Sequence, residues 1–174
     1  MASCKIFKGV GESCQPTVAG INRLAIINWD ESYKFTGSTG DCEVDTIDLG
    51  TEEKAYPLAI AEGTGVATST GTIGGNASSR YFMHSVGGTI MHLDCDLLKQ
   101  YKDLFLGKFI LIVETKNRDV YAFGVPNGLT ASTFEYTSGT ADGDAAGVSF
   151  VFEGAQPEAP LKIKDWSVVK EVME

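Results

Sequence analysis

His84 and His92 are the two imidazoles of the chain, and both fall within Arg80–Leu93 (RYFMHSVGGTIMHL). On an extended strand, eight residues separate them by roughly 26 Å, too far for one metal site or one catalytic pair. A nucleophilic hydrolase needs a Ser or Cys beside a base that a third group holds, and no G-x-S-x-G turn is present. The carboxylates Asp41, Glu43, Asp45 and Asp48 are clustered, and paired carboxylates can hydrolyse glycosides. Strand alternation nevertheless sets Asp41, Glu43 and Asp45 side by side on one face, the pattern of a solvated surface or an acidic lining. Asp142-Gly143-Asp144 lacks the remaining ligands of an EF-hand loop, the bidentate Glu above all. The Gly-rich segment 62–80 lacks the G-x-x-x-x-G-K-[ST] spacing that cradles phosphate. Cys4, Cys14, Cys42 and Cys95 are far apart with no C-x-x-C pair, as reduced thiols are. No catalytic, cofactor or metal site is therefore expected, and the chain reads as a structural protein and not an enzyme.

With 174 residues the chain is long enough for one domain with a real core. Fourteen basic against 23 acidic residues give a net charge of −9. That sign argues against a surface that grips nucleic-acid phosphates, because such affinity comes mainly from Lys and Arg. The start, MASCKIFKGVGESC, has no apolar core of a secretory signal. No run reaches the ~20 apolar residues of a membrane span, so no membrane partner is expected.

The elements follow from periodicity and punctuation. Ile21–Trp29 (INRLAIINW) offers apolar groups to both faces, as a strand covered on both sides or lying in a subunit interface would. Tyr33–Thr36, Cys42–Leu49 and Tyr56–Ala61 read as short strands, the last with Pro57 at an edge or start. Glu62–Arg80 is dominated by Gly, Thr, Ser and Ala. It reads as either a flexible surface loop or a long hairpin arm that orders on a neighbouring subunit. Gly87-Gly88 predicts a bulge in the next strand. Asp94 as N-cap and Gly107 past the end frame a helix over about 95–106, with Leu97, Leu98, Tyr101, Leu104 and Phe105 as one apolar stripe. A meander follows: Phe109–Val113, a turn at 115–119, Val120–Val125, a Val-Pro-Asn-Gly turn, and Leu129–Tyr136. Val148–Phe152 is a further strand. Residues 1–20 and 154–174 read as extended arms, and in the second Ile163, Trp166, Val168 and Val169 need partners.

The helix running into KFILIVETKNRDVYAFGVPNGLTAS, then TSGTADGDAAGVSFVFEGAQPEAPL, resembles the tail tube proteins of tailed bacteriophages, particularly of Bacteroides-infecting, crAss-like phages. The phrases VETK, G-x-x-x-G-L and F-x-G-x-x-P-E-A-P carry the likeness, together with CKIFKGVGESC before the first strand. The resemblance covers most of the chain. It implies a single mainly-β domain over 1–174, a β-sandwich or partly closed barrel with one flanking helix. It also implies homo-oligomeric rings, six-membered in most such proteins, that stack into a tail tube or a tail or connector ring. Neighbouring tail or connector proteins would be the other partners, and DNA would pass through the lumen without specific binding. Six chains at −9 would bring −54 to such a ring, a wall that repels phosphate. The expected location is the virion tail, after synthesis in the host cytoplasm. Residues expected at the subunit interface are Thr64, Val66, Thr70, Ile73 and Gly74 of the 62–80 hairpin, Leu24 and Ile26 of the first strand, and Trp166. Two other classes remain open from the sequence: a carbohydrate- or host-surface-binding β-sandwich, and a capsid decoration or head–tail completion protein.

Overall fold

The computed structural model of the chain describes residues 8–11, 16–37, 42–75, 79–91, 93–141 and 146–173. Half of the chain (50%) is strand and 11% helix, in one mixed sheet that does not close, as in a sandwich or open barrel. The mainly-β fold with a helix at 95–106 is the one expected.

The sheet is built on β7 (Lys108–Thr115), whose residues Phe109 to Glu114 are all buried. Alternation sends Phe109, Leu111 and Val113 into one core and Ile110 and Ile112 into another, which is why the strand is apolar on both faces. A tight turn leads to β8 (Val120–Phe123), with Thr115 N–H donating to the Asp119 carbonyl at 2.8 Å and Arg118 at a left-handed φ of 71°. The next turn is closed by Gly128 N–H on the Gly124 carbonyl at 2.6 Å. A side chain at Gly124 (φ 90°) would meet Leu129 Cγ at 2.8 Å, so the G-x-x-x-G-L phrase has a backbone reason. β9 (Leu129–Thr137) follows.

One layer runs β2 (Lys34–Gly37), β3 (Glu43–Asp48), β11 (Leu161–Ile163), β8, β7, β1 (Ile21–Asn28) and β4 (Tyr56–Pro57). The β11–β3 pair is parallel and the others antiparallel. β1 lies along the whole of β7, from Ile21 opposite Thr115 to Asn28 opposite Phe109. The second layer leaves β7 where Lys108 and Phe109 pair with Thr130 and Leu129. It has four antiparallel strands in the order β9, β10 (Gly147–Gln156), β6 (Arg80–Ile90), β5 (Val66–Ile73). Phe150, Phe152, Val86 and Leu129 of this layer pack on Leu24, Ile26, Leu111 and Phe123 of the first. The other face of the first layer is covered by α2 (Trp166–Lys170), capped by Asp165 accepting from Ser167 N–H at 2.7 Å.

Several expectations change. Tyr56–Ala61 pairs as a strand only at Tyr56 and Pro57, although Leu58 N–H still reaches the Leu24 carbonyl at 2.9 Å. Segment 154–174 is no arm: Gln156 ends β10, β11 enters the first layer, and Ile163, Trp166, Val168 and Val169 are buried. Of the N-terminal arm, residues 8–11 and 16–19 are exposed and outside strands, with Val18 N–H held by the Asn117 side chain at 2.9 Å. Gly87-Gly88 makes no bulge, since β6 pairs with β10 in unbroken register from Phe82 to Ile90. These glycines instead admit close neighbours: a Cβ on Gly88 would lie 3.1 Å from Ile60 Cγ2, and one on Gly87 3.0 Å from the Phe150 carbonyl oxygen. The helix α1 (Cys95–Leu106) has the Asp94 cap, accepting from Leu97 N–H at 2.8 Å. Gly107 ends it in extended backbone and not in the left-handed region, and glycine is needed there because a side chain would strike Phe109 and the Asp103 carbonyl. None of its residues is fully buried.

Candidate assembly interface

The segment 62–80 is a hairpin of this chain's own sheet. β5 pairs with β6 from Val66 opposite Gly87 to Ile73 opposite Arg80, so the strand belongs to this chain's own sheet, against both the flexible-loop expectation and that of an arm ordered only by a neighbouring subunit. Its far edge pairs with no strand among the described residues. The ladder's alternation follows from Gly74 N–H donating to the Ser79 carbonyl at 2.7 Å. Continued two residues at a time, bonded positions are Thr72, Thr70, Thr68 and Val66. Ala67, Ser69, Gly71 and Ile73 therefore turn their N–H and C=O groups to the open edge. At the other end of this layer, β9 meets β7 only at Leu129 and Thr130, which leaves the same edge open from Ala131 to Thr137.

Such edges are normally blunted by Lys, Pro or a bulge. This one is not: the 17 residues between Glu62 and Arg80 contain no charge and no proline. Four antiparallel strands also make the two edges run in opposite directions. β5 of one copy set beside β9 of an identically oriented copy would continue the antiparallel alternation.

The outward face of the layer is distinctive. Register places Thr68, Ser85, Glu153 and Thr130 in one rank across it and Val66, Gly87, Val151 and Thr133 in another. A third rank is Thr89, Ser149 and Glu135. Ser85 donates to Glu153 at 3.2 Å, and the Thr89 and Ser149 hydroxyls lie 3.4 Å apart. These ranks are hydroxyl-rich, carry two carboxylates and contain no Lys or Arg.

The expected interface residues separate into two groups. Val66 and Ile73 are 55% and 66% exposed, and Thr70 is exposed on the same strand. Gly74 is half-buried beside Ser79, and Thr64 is exposed but already bonded, donating to the Ala61 carbonyl at 2.7 Å and accepting from Thr89 N–H at 3.2 Å. Leu24, Ile26 and Trp166 are corrections. All three are buried inside their own chain, Leu24 and Ile26 between the layers and Trp166 at the start of α2. The two-faced pattern of the first strand thus belongs to a strand covered on both sides. Leu98 and Phe105 belong to the expected helix stripe but are not held on the sheet: with Leu106 they are 54%, 51% and 66% exposed, and sequence reasoning did not place them at an interface. The signal was there: the helix stripe is wider than one edge of a sheet can cover.

Among the described residues the buried polar side chains are Glu114, His84 and Gln156. Glu114 is buried at the β7–β1 junction, where Asn22 Nδ2 donates to it at 2.6 Å, and Arg23 and Arg118 lie at 3.2 and 3.5 Å. Arg23 also sits 5.9 Å over the Trp166 ring. His84 is fully buried, its Nδ1 accepting from Gly124 N–H at 3.2 Å and its ring edge-on to Phe123. Burial pushes its pKa below the ordinary imidazole value, and its Nε2 has no hydrogen-bond partner among the described residues. His92 lies outside the described residues, as do Asp41, Cys4 and Cys14. A cavity of about 710 Å³ between β1 and α2 is lined by Leu24, Leu58, Ile60 and Trp166, with Arg23 and Lys170 as its charged groups. No carboxylate or imidazole lines it. Among the described residues no His, Cys, Asp and Glu cluster has metal-binding geometry, and Cys42 and Cys95 are free thiols. No described helix is long and apolar enough to cross a membrane.

No protein-family model matches the chain, and no curated protein or solved structure matches it.

Proposed function

We propose that this chain is a structural virion subunit whose copies close into a ring, and that the rings stack into a tail tube or tail ring through which phage DNA passes. The observation that carries the reading is the four-stranded layer β9-β10-β6-β5. It has two open, oppositely directed edges and an outward face without cations in its ranks. Joined edge to edge, such layers form a continuous barrel with the hydroxyl- and carboxylate-bearing face turned to the lumen. Phosphates would find nothing there to bind, as a channel for moving DNA requires.

The geometry can be sized. Six copies of a four-stranded layer give roughly 24 strands. At about 4.8 Å between strands and a tilt of about 40°, the barrel wall has a backbone diameter of about 48 Å. Negative-stain and cryo-electron microscopy of the purified protein, with sedimentation, test this directly. Rings with a wall near that diameter support it. A monomer at every concentration, and no ring density from this protein in assembled particles, refutes it. Labelling the particle also separates a tube subunit from a decoration or completion protein by position. The glycan-binding alternative gains no support from the tryptophans: Trp166 is buried, and Trp29 is covered by Lys108 Nζ at 3.9 Å while its Nε1 donates to the Pro126 carbonyl at 2.6 Å.

A further inference from the structure

We infer that α1 of one copy clamps the β5 strand of the next, with Phe105 and Leu106 packing on the neighbour's Ile73. The inference rests on the ring reading and names its second contact. The helix runs beside β9 in the opposite direction. Tyr101 stands edge-on to Phe134 at 4.7 Å, and Lys108, just past the helix, is paired with Thr130 near the start of β9. Leu97, Tyr101 and Leu104 are its half-buried side. Gln100 and Asp103 form one flank, facing Ile26, Tyr56 and Pro57 across a cavity of about 600 Å³. At 100° per residue, Leu98 and Phe105 fall on the opposite flank, and their own chain leaves them about half exposed.

A strand added antiparallel to the open edge of β9 supplies what is missing there. With β5 set along the open stretch of β9 and the core faces aligned, Ala67 falls beside Tyr136, Ser69 beside Phe134 and Gly71 beside Ala131, and Ile73 runs past the open stretch, which Lys108 closes at Thr130, to the end of the helix. The three positions beneath the helix are thus Ala, Ser and Gly, which leave room for it. The bulky residue, Ile73, arrives at the helix's end beside Phe105 and Leu106. Phe82, 36% exposed and opposite Gly71, follows one strand behind. The oppositely directed open edges select the occupant, and charge permits it: Val66–Ile73 carries no charge and Lys102 is the charged residue among Leu98, Phe105 and Leu106, so this contact brings no acidic groups of two −9 copies together. The partner is a second copy of this chain.

Disulfide trapping tests the contact, in a chain whose four native cysteines are replaced by serine. One variant carries Ile73→Cys with Leu106→Cys, the other Thr68→Cys with Glu135→Cys on the outward face of the same junction. Both pairs should give cross-linked ladders in assembled protein, and Phe105→Glu should raise the concentration needed for assembly by about tenfold or more. Cross-linking at 68/135 with none at 73/106, and no effect of Phe105→Glu, overturns the clamp while leaving the edge junction intact. Assembly without cross-linking at either pair overturns both contacts. A chain that never assembles overturns the ring reading, and the clamp with it.

Discussion

Two proline substitutions, one residue apart in β5, separate the open edge from the paired one. Ser69 points its N–H away from β6, whereas Thr70 bonds to Met83. Three residues on the open edge, Ala67, Ser69 and Gly71, face the open stretch of β9 and present six backbone groups, worth roughly 3–9 kcal/mol net per junction at about 0.5–1.5 kcal/mol each. Ser69→Pro deletes one donor, leaves an acceptor on the neighbour unsatisfied at about 1–3 kcal/mol, and puts a ring in the gap between strands. Every junction of a six-membered ring carries the same loss, roughly 6–18 kcal/mol in all. The monomer tolerates it, because proline is accepted on an edge strand whose N–H faces solvent, and its stability should stay within about 1 kcal/mol of wild type. Thr70→Pro has the opposite profile, breaking a bond within the chain and lowering monomer stability by about 1–3 kcal/mol. Sedimentation velocity reads assembly and urea unfolding reads the monomer. A folded Ser69→Pro protein that forms rings at wild-type concentrations would refute the reasoning, since β5 could not then be the junction.

Acidification should destabilise the fold through His84. Its folded pKa is depressed, so full stability is present above the unfolded value near 6.5 and falls as pH drops toward the folded value, by at most about 1.4 kcal/mol per pH unit. Urea midpoints at pH 7.5 and 5.5 should differ less for His84→Gln than for wild type; equal differences would show that His84 is not the titrating group. Glu114→Ala should cost about 1–2 kcal/mol in urea unfolding, less than a wholly buried ion pair, because Arg23 and Arg118 are 45% and 68% exposed and can be resolvated. Phe150→Ala should cost about 3–5 kcal/mol, and Leu104→Ala only about 1–2 kcal/mol because Leu104 is half-buried; equal losses would place the helix deeper in the core than it lies.

What could be read from the sequence was whatever local chemistry decides. Asp94 and the apolar stripe announced α1 because caps and helical spacing act within one turn. The run Phe109–Val113 announced a strand of the meander, and the two cores on its faces account for its being apolar throughout. β5 was legible only as a choice between loop and hairpin. Its VATSTGTI carries no apolar alternation, since one edge and much of both faces lie open, and what fixes it is the register with β6. α2 was missed although Asp165 two residues before Ser167 is a cap signal, because five residues are too few to show a helical period. Gly87-Gly88 misled, since a glycine chosen for close packing looks the same in sequence as one chosen for a bend. The candidate interface is a property of strand order: that β5 and β9 end the layer follows from pairings distant in sequence.

β7 serves both layers at once, with β1 along one side and β8 and then β9 along the other. A single covalent strand therefore couples the wall of the proposed pore to the shell behind it. A push on the inner surface travels through that strand into the outer sheet, and the ladder with β1 resists sliding with all its rungs loaded together. The subunit is built to yield by peeling at its margins, not by its two halves slipping apart.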